Sequence, residues 1–194
     1  MRKFVRLGEP DFLADKWEKW GIEWEKRRNE NPAASFHWHQ IDGERVNQKL
    51  LSRLKAQTQD HCSFCDAFPV SPPSIDTIEH FRPKTKFPKD AYRWNNLYYC
   101  CVHCQQKGEE FDEALLNPDA EDYEFDRYFL WDFTTGEMMV NQLASLEDQN
   151  RAKVTIELYR LNEGHPRNRR LAMKNRADNP DAPLEEQAYR HLFD

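Results

Sequence analysis

Two Cys-x-x-Cys pairs, Cys62/Cys65 and Cys101/Cys104, stand in this 194-residue chain with 35 residues between them. Nothing else in the sequence limits the fold so strongly. Zinc takes four thiolates tetrahedrally at about 2.3 Å each, and one Cys-x-x-Cys turn supplies two sulfurs from one knuckle. The four cysteines therefore predict a closed four-cysteine zinc site, structural rather than catalytic, that pins the intervening loop. Metal binding of this kind is part of the folding free energy of a small unit. Competing assignments are four unliganded core cysteines and a redox pair. The fifth cysteine, Cys100, reads as a small buried hydrophobe, because Cys101-x-x-Cys104 repeats the first pair's spacing.

No apolar run approaches the roughly 20 residues that cross a bilayer, and Met1-Arg2-Lys3-Phe4 is not followed by an apolar signal core. A cytoplasmic protein without a membrane partner is expected, where paired cysteines point to metal rather than to disulfides. The chain is polar, with 32% charged residues, yet six Trp and twelve Phe argue for a packed core.

Net charge is −6, which alone speaks against a nucleic-acid binder. Its distribution reverses that impression. Nine acidic residues and no Lys or Arg lie between Glu109 and Asp126, which leaves the rest of the chain at +3. Glu79 to Arg93 carries five Lys/Arg against two acids, and Arg167 to Arg176 carries five against none. Such patches can neutralise phosphates while an acidic face points elsewhere; each taken singly is equally an ordinary solvated face.

Periodicity predicts an amphipathic helix over residues 11 to 28, with Leu13, Trp17, Trp20 and Trp24 on one stripe. That stripe either docks on the protein's own core or anchors a partner. A second helix is expected over 44 to 58 from Val46, Leu50 and Leu54. Ile75 to Phe81 reads as a strand and Leu97 to Cys100 as its return, with Pro83 and Pro88 excluding regular structure between them. A helix should begin near Cys104. Further on, a hairpin within 125 to 140 turns at Gly136, and Ser145 with Asp148 caps a helix running to about Leu161. Asn162 and Gly164 would close that helix, with Pro166 preventing its continuation. Short helices are expected over 167 to 177 and 183 to 193. The fold class is α+β, mainly α, divided as a helical extension (1–58), a zinc-stapled core (59–115) and a hairpin-plus-helix extension (116–194).

Inside the cysteine frame lie Glu79 and His80. Imidazole, with an unperturbed pKa near 6.5, suits a general base, and a carboxylate suits Mg²⁺ or Mn²⁺. A Glu-His dipeptide alone is more often a surface pair; the frame around it changes that weighting.

Glu79-His80-Phe81-Arg82-Pro83-Lys84, Trp94-Asn95-Asn96-Leu97 and Cys101-Val102-His103-Cys104-Gln105-Gln106-Lys107-Gly108 resemble the signature of the HNH (ββα-metal) nucleases. More narrowly they resemble the HNH subunit of two-component Septu anti-phage systems and its retron-associated relatives. Leu115-Leu116-Asn117-Pro118, the run Thr155 to Asn162 and Arg167 to Arg170 extend the resemblance over roughly residues 60 to 175. It implies that His80 is the general base, that Glu79 and Gln105 hold a catalytic Mg²⁺ or Mn²⁺, that Asn96 braces the loop and orients His80, and that Lys107 holds a phosphate. Position 105 departs from the family, which usually has Asn or His there; Glu109 could compensate. The expected substrate is a nucleic acid, DNA favoured with RNA left open, and the resemblance implies an ABC-type ATPase partner. In the retron-associated relatives a reverse transcriptase with its RNA joins the assembly. The alternative from another class is a zinc-containing nucleic-acid-binding or scaffold subunit with a silent site, which Gln105 and the acidic net charge favour.

Overall fold

The computed structural model describes residues 1–70, 77–174 and 183–192. It is mixed α/β and mainly helical, with three separate two-stranded antiparallel sheets among the described residues.

The first helical stretch is two helices, not one. α1 covers Asp11–Ala14 and α2 covers Trp17–Glu30, with Asp15 and Lys16 between them. Leu13, Trp20 and Trp24 are buried, and Trp17 is half-buried with Arg93 over its ring at 5.5 Å. Trp20 stacks on His39 at 4.6 Å, and Trp24 donates its indole N–H to the Lys84 carbonyl at 2.8 Å. Leu13, Trp20 and Trp24 of the stripe therefore belong to the core. Gly21 allows the seating: a Cβ there would lie 2.2 Å from the Lys89 carbonyl oxygen.

A two-residue ribbon follows, β1 (Gln40–Ile41) against β2 (Glu44–Arg45), turning at Asp42 and Gly43 with positive φ. α3 (Val46–Thr58) buries Val46, Leu50 and Leu54 completely, as its four-residue spacing requires. The central hairpin pairs β3 (Thr77–His80) with β4 (Leu97–Cys100), in the register Thr77↔Cys100 and His80↔Leu97. Residues 75 and 76 of the expected strand lie outside the described residues. α4 (Val102–Gln105) starts two residues before the expected Cys104 and lasts one turn. Gly108, at φ +60°, ends the turns that follow, so Glu109 does not sit one helical turn beyond Gln105.

Beyond a short α5 (Phe125–Tyr128), β5 (Phe129–Trp131) and β6 (Met138–Val140) form the expected hairpin. Asp132 organises its turn by accepting from the Thr134 and Thr135 amides, and Gly136 takes φ +74°. Ser145 caps α6 (Leu146–Leu158) by accepting from the Asp148 amide at 3.1 Å. The helix stops at Leu158, three residues early. Asn162 does not terminate it: its side chain pairs with the backbone of Met138 in β6 at 2.8 Å each way. Gly164 opens α7 (Gly164–Lys174) instead of closing α6, and Pro166 sits in the first turn, where its missing N–H costs nothing. The last expected helix is absent from 183–192, replaced by 3₁₀ turns at Leu184–Glu186 and Arg190–Leu192. One apolar core runs through all of this, from Met1 through Leu50, Tyr98 and Phe129 to Tyr189. No described helix is long and apolar enough to cross a membrane.

Candidate functional site

Cys62, Cys65, Cys101 and Cys104 converge, all buried, with their sulfurs within 4.8 Å of one another. A tetrahedron with zinc–sulfur bonds of about 2.3 Å has sulfurs about 3.8 Å apart; Cys65 and Cys101 stand at 3.6 Å. The sulfurs also accept backbone amides, Cys62 from Cys101 N at 3.4 Å and Cys101 from Cys104 N at 3.5 Å. These bonds stabilise thiolate charge. Hydrogen bonds from Cys104, Cys62 and Cys65 hold Cys101 far below the ordinary thiol range, while burial pushes Cys104 up. Four buried sulfurs sharing negative charge are a donor set suited to a soft divalent cation such as zinc. Cys100 is buried and makes no part of the cluster; its sulfur faces the Thr77 hydroxyl at 3.5 Å.

The β3–β4 hairpin extends from this cluster. Thr77 pairs with Cys100 beside the sulfurs, and His80 pairs with Leu97 three residues further along, about 10 Å away at strand rise. Both Glu79 and His80 are buried, and they line a cavity of about 130 Å³ together with Ile78, Lys84, Thr85 and Gln105.

His80 is held on several sides. Its Nε2 lies 2.9 Å from the Ala91 carbonyl, Trp38 stacks over it at 5.6 Å and 19°, and Phe36 meets it edge-on at 5.5 Å. A carbonyl can only accept, so Nε2 carries the proton and Nδ1 keeps its lone pair. Burial, helped by the Lys84 charge, pushes the imidazole pKa down to about 3, which keeps the ring neutral. No other described residue hydrogen-bonds the ring.

Asn96 clamps the loop between the strands. Its Oδ1 accepts from the Arg82 amide at 2.7 Å, and its Nδ2 donates to the carbonyls of Arg82 (3.0 Å) and Asp90 (2.9 Å). Asp90 precedes Ala91, so the clamp holds the residue next to the one whose carbonyl meets His80.

Lys107 is placed otherwise than expected. Its side chain is completely buried, with Nζ 2.9 Å from Glu79 Oε1 and donating to the carbonyls of His80, Phe81 and Glu110 at 3.2–3.4 Å. Gly108, at φ +60°, follows it in the turn after α4, and the lysine side chain runs inward beneath the hairpin. The Glu79 contact is an ion pair without hydrogen-bond alignment. Even against that charge, burial raises the Glu79 carboxyl to about 7. Gln105 and Glu109 line the same cavity as Glu79 and His80.

Several site residues were not singled out from sequence. Phe36 and Trp38 come from the irregular segment before β1, and Tyr92 donates its hydroxyl to the His37 carbonyl at 2.6 Å, fastening that segment to the loop after β3. The aromatic and histidine density of Phe36-His37-Trp38-His39 was the available signal. No protein-family model matches the chain, and a search of the curated proteins found no match.

Proposed function

We propose that the chain is an HNH-type endonuclease, with a ββα-metal unit formed by β3, β4 and α4 on a structural four-cysteine zinc site. The observation that carries this reading is the placement of His80: Nε2 held by the Ala91 carbonyl, Nδ1 free, beside Glu79 on a strand tied to the cysteine cluster.

Phosphodiester hydrolysis needs a water deprotonated, a phosphate neutralised and a leaving oxygen stabilised. Nδ1 of His80 would take the proton from a water as its oxygen bonds to phosphorus. The bond to the departing sugar oxygen then breaks, and that oxygen collects a proton from solvent. Trp38 and the Ala91 carbonyl restrict the ring to one plane, which supplies orientation before substrate arrives. The donors lining the cavity are two carboxylates, Glu79 and Glu109, one amide carbonyl and an imidazole. That set fits a hard divalent cation that retains several waters, as Mg²⁺ does, with Glu79 and Gln105 holding it. Bound there, the cation would neutralise phosphate charge and stabilise the leaving oxygen. Tight binding would require Glu79 to share its charge between the cation and Lys107.

That ion pair favours a second reading, a zinc-containing nucleic-acid-binding or scaffold subunit whose Glu79 is occupied by Lys107. In either case the resemblance implies an anti-phage complex in which an ABC-type ATPase restrains the chain, and stable co-purification on co-expression tests that implication. The test between the readings is His80→Ala in zinc-replete protein, assayed on DNA and RNA with Mg²⁺ or Mn²⁺. Removal of a general base costs about 10²–10⁴-fold in rate. Cleavage undiminished by the substitution, or no cleavage by the native chain alone and in complex, removes the nuclease reading.

A further inference from the structure

With Lys107 buried under the hairpin, the cavity beside His80 needs another cation if it is to hold a phosphate. Among the described residues lining it, Lys84 is the one cationic side chain, against Glu79 and Glu109. Its backbone is fixed, because the Lys84 carbonyl receives the Trp24 indole at 2.8 Å, and Pro83 before it is buried. Its ammonium is not engaged by a carboxylate or carbonyl of the described residues; it rests over the Phe36 ring at 5.4 Å. All three N–H donors are thus available, on a half-buried stem whose root cannot drift.

The next residue adds an independent observation. Thr85 lines the same cavity, and its hydroxyl oxygen is buried without any hydrogen-bond partner. A buried hydroxyl left unpaired is costly, and such groups in folded proteins generally have a partner. That oxygen is closed off from solvent, so a rotation about Thr85 χ1 is what brings the donor to an anionic oxygen beside the uncommitted ammonium.

We infer that Lys84 and Thr85 form the phosphate subsite of the His80 centre, Lys84 contacting a non-bridging oxygen of the phosphodiester and the Thr85 hydroxyl donating to the same group. The inference rests on the nuclease reading and deepens it. Lys84 supplies charge and Thr85 direction, in the position the sequence motif had assigned to Lys107. The two acids lining the cavity, Glu79 and Glu109, would repel a phosphate that approached without a cation, so the subsite requires either Lys84 or a metal to form.

The probe is a non-cleavable oligonucleotide duplex carrying phosphorothioate linkages, titrated into zinc-loaded protein over a range of salt concentrations, together with cleavage rates on the unmodified duplex. Loss of one phosphate contact reduces the slope of log affinity against log salt by about 0.9 for duplex DNA. Lys84→Met is expected to show that reduction and to slow cleavage by on the order of 10²-fold, as for loss of one transition-state donor. Lys84→Arg should restore the slope. Thr85→Val should leave the slope unchanged and slow cleavage about two- to tenfold, the worth of one neutral hydrogen bond. Lys153→Met, on α6, controls for the change in net charge. A Lys84→Met protein that keeps its native slope and rate overturns the subsite while leaving the nuclease reading intact. A native protein that neither binds nor cuts overturns both, and His80→Ala separates the cases, since it should stop cleavage and keep the slope.

Discussion

Asn96 offers the sharpest quantitative test of how the site is held. Alanine there removes one acceptor and two donor bonds at once, leaving the Arg82 N–H and the Arg82 carbonyl without partners and the Asp90 carbonyl with the Arg93 amide alone. Asn96 itself is only 5% exposed, so water replaces these bonds poorly. At about 1 kcal/mol net per hydrogen bond, Asn96→Ala should cost roughly 3 kcal/mol. Native domains have about 5–15 kcal/mol in total. Asn96→Asp should cost more at pH 8, although it changes no volume. An ionised carboxylate can still accept from Arg82 N–H, but it sets a second anionic oxygen against two carbonyls. On acidification the carboxyl protonates and can donate to one of them, so the gap between the Asp and Ala variants should narrow. Urea unfolding at fixed zinc, run at pH 8 and pH 5, measures all of this. Cleavage should fall in both variants, because the loop bearing the Ala91 carbonyl loses its anchor. An Asn96→Ala cost below 1 kcal/mol, or an Asp variant as stable as the native chain at pH 8, would refute the clamp.

Three further outcomes follow from the same geometry. Purified protein should carry about one zinc per chain, and Cys62→Ser should yield poorly folded protein, because metal binding contributes to folding; zinc-free native protein by elemental analysis would contradict this. The His80 imidazole, held to about 3 when folded, binds its proton more weakly there than in the unfolded chain. Its contribution is therefore present above the unfolded value near 6.5 and is lost as pH falls toward 3. The loss amounts to as much as about 4–5 kcal/mol at roughly 1.4 kcal/mol per pKa unit. Glu79, raised to about 7, acts oppositely and lowers stability as pH climbs from 4.5 to 7; His80→Gln should remove the acid-side loss alone in pH-dependent unfolding. Finally, the buried Arg190–Asp66 pair, at 2.6 Å, ties residues 183–192 to the first cysteine knuckle. Arg190→Met should cost about 3–5 kcal/mol by stranding the Asp66 charge, read as a lowered denaturation midpoint.

Local signals in the sequence determined a good part of this protein. The repeated Cys-x-x-Cys spacing announced four sulfurs meeting, because each knuckle is a single turn whose geometry four residues suffice to specify. The four-residue interval of Val46, Leu50 and Leu54 declared α3, Ser145 with Asp148 declared the start of α6, and alternating β-formers declared the arms of the central hairpin. The brace expected of Asn96 came from the family resemblance, not from any local pattern around it.

What tertiary structure alone decided is which of two partners a versatile side chain takes. Lys107 could reach a phosphate or Glu79, and the fold set it under the hairpin beside Glu79. Trp20 and Trp24 of α2 could face a partner or the core, and the close approach at Gly21 turned them inward. Phe36 and Trp38 carry no periodicity, so nothing local tells that they close over a histidine more than forty residues away. The same holds for Tyr189 and Arg190, whose contacts with Asp66 span over 120 residues. Such contacts depend on where whole elements come to rest, and that placement is set by burial summed over the entire core, a quantity no short window of sequence contains.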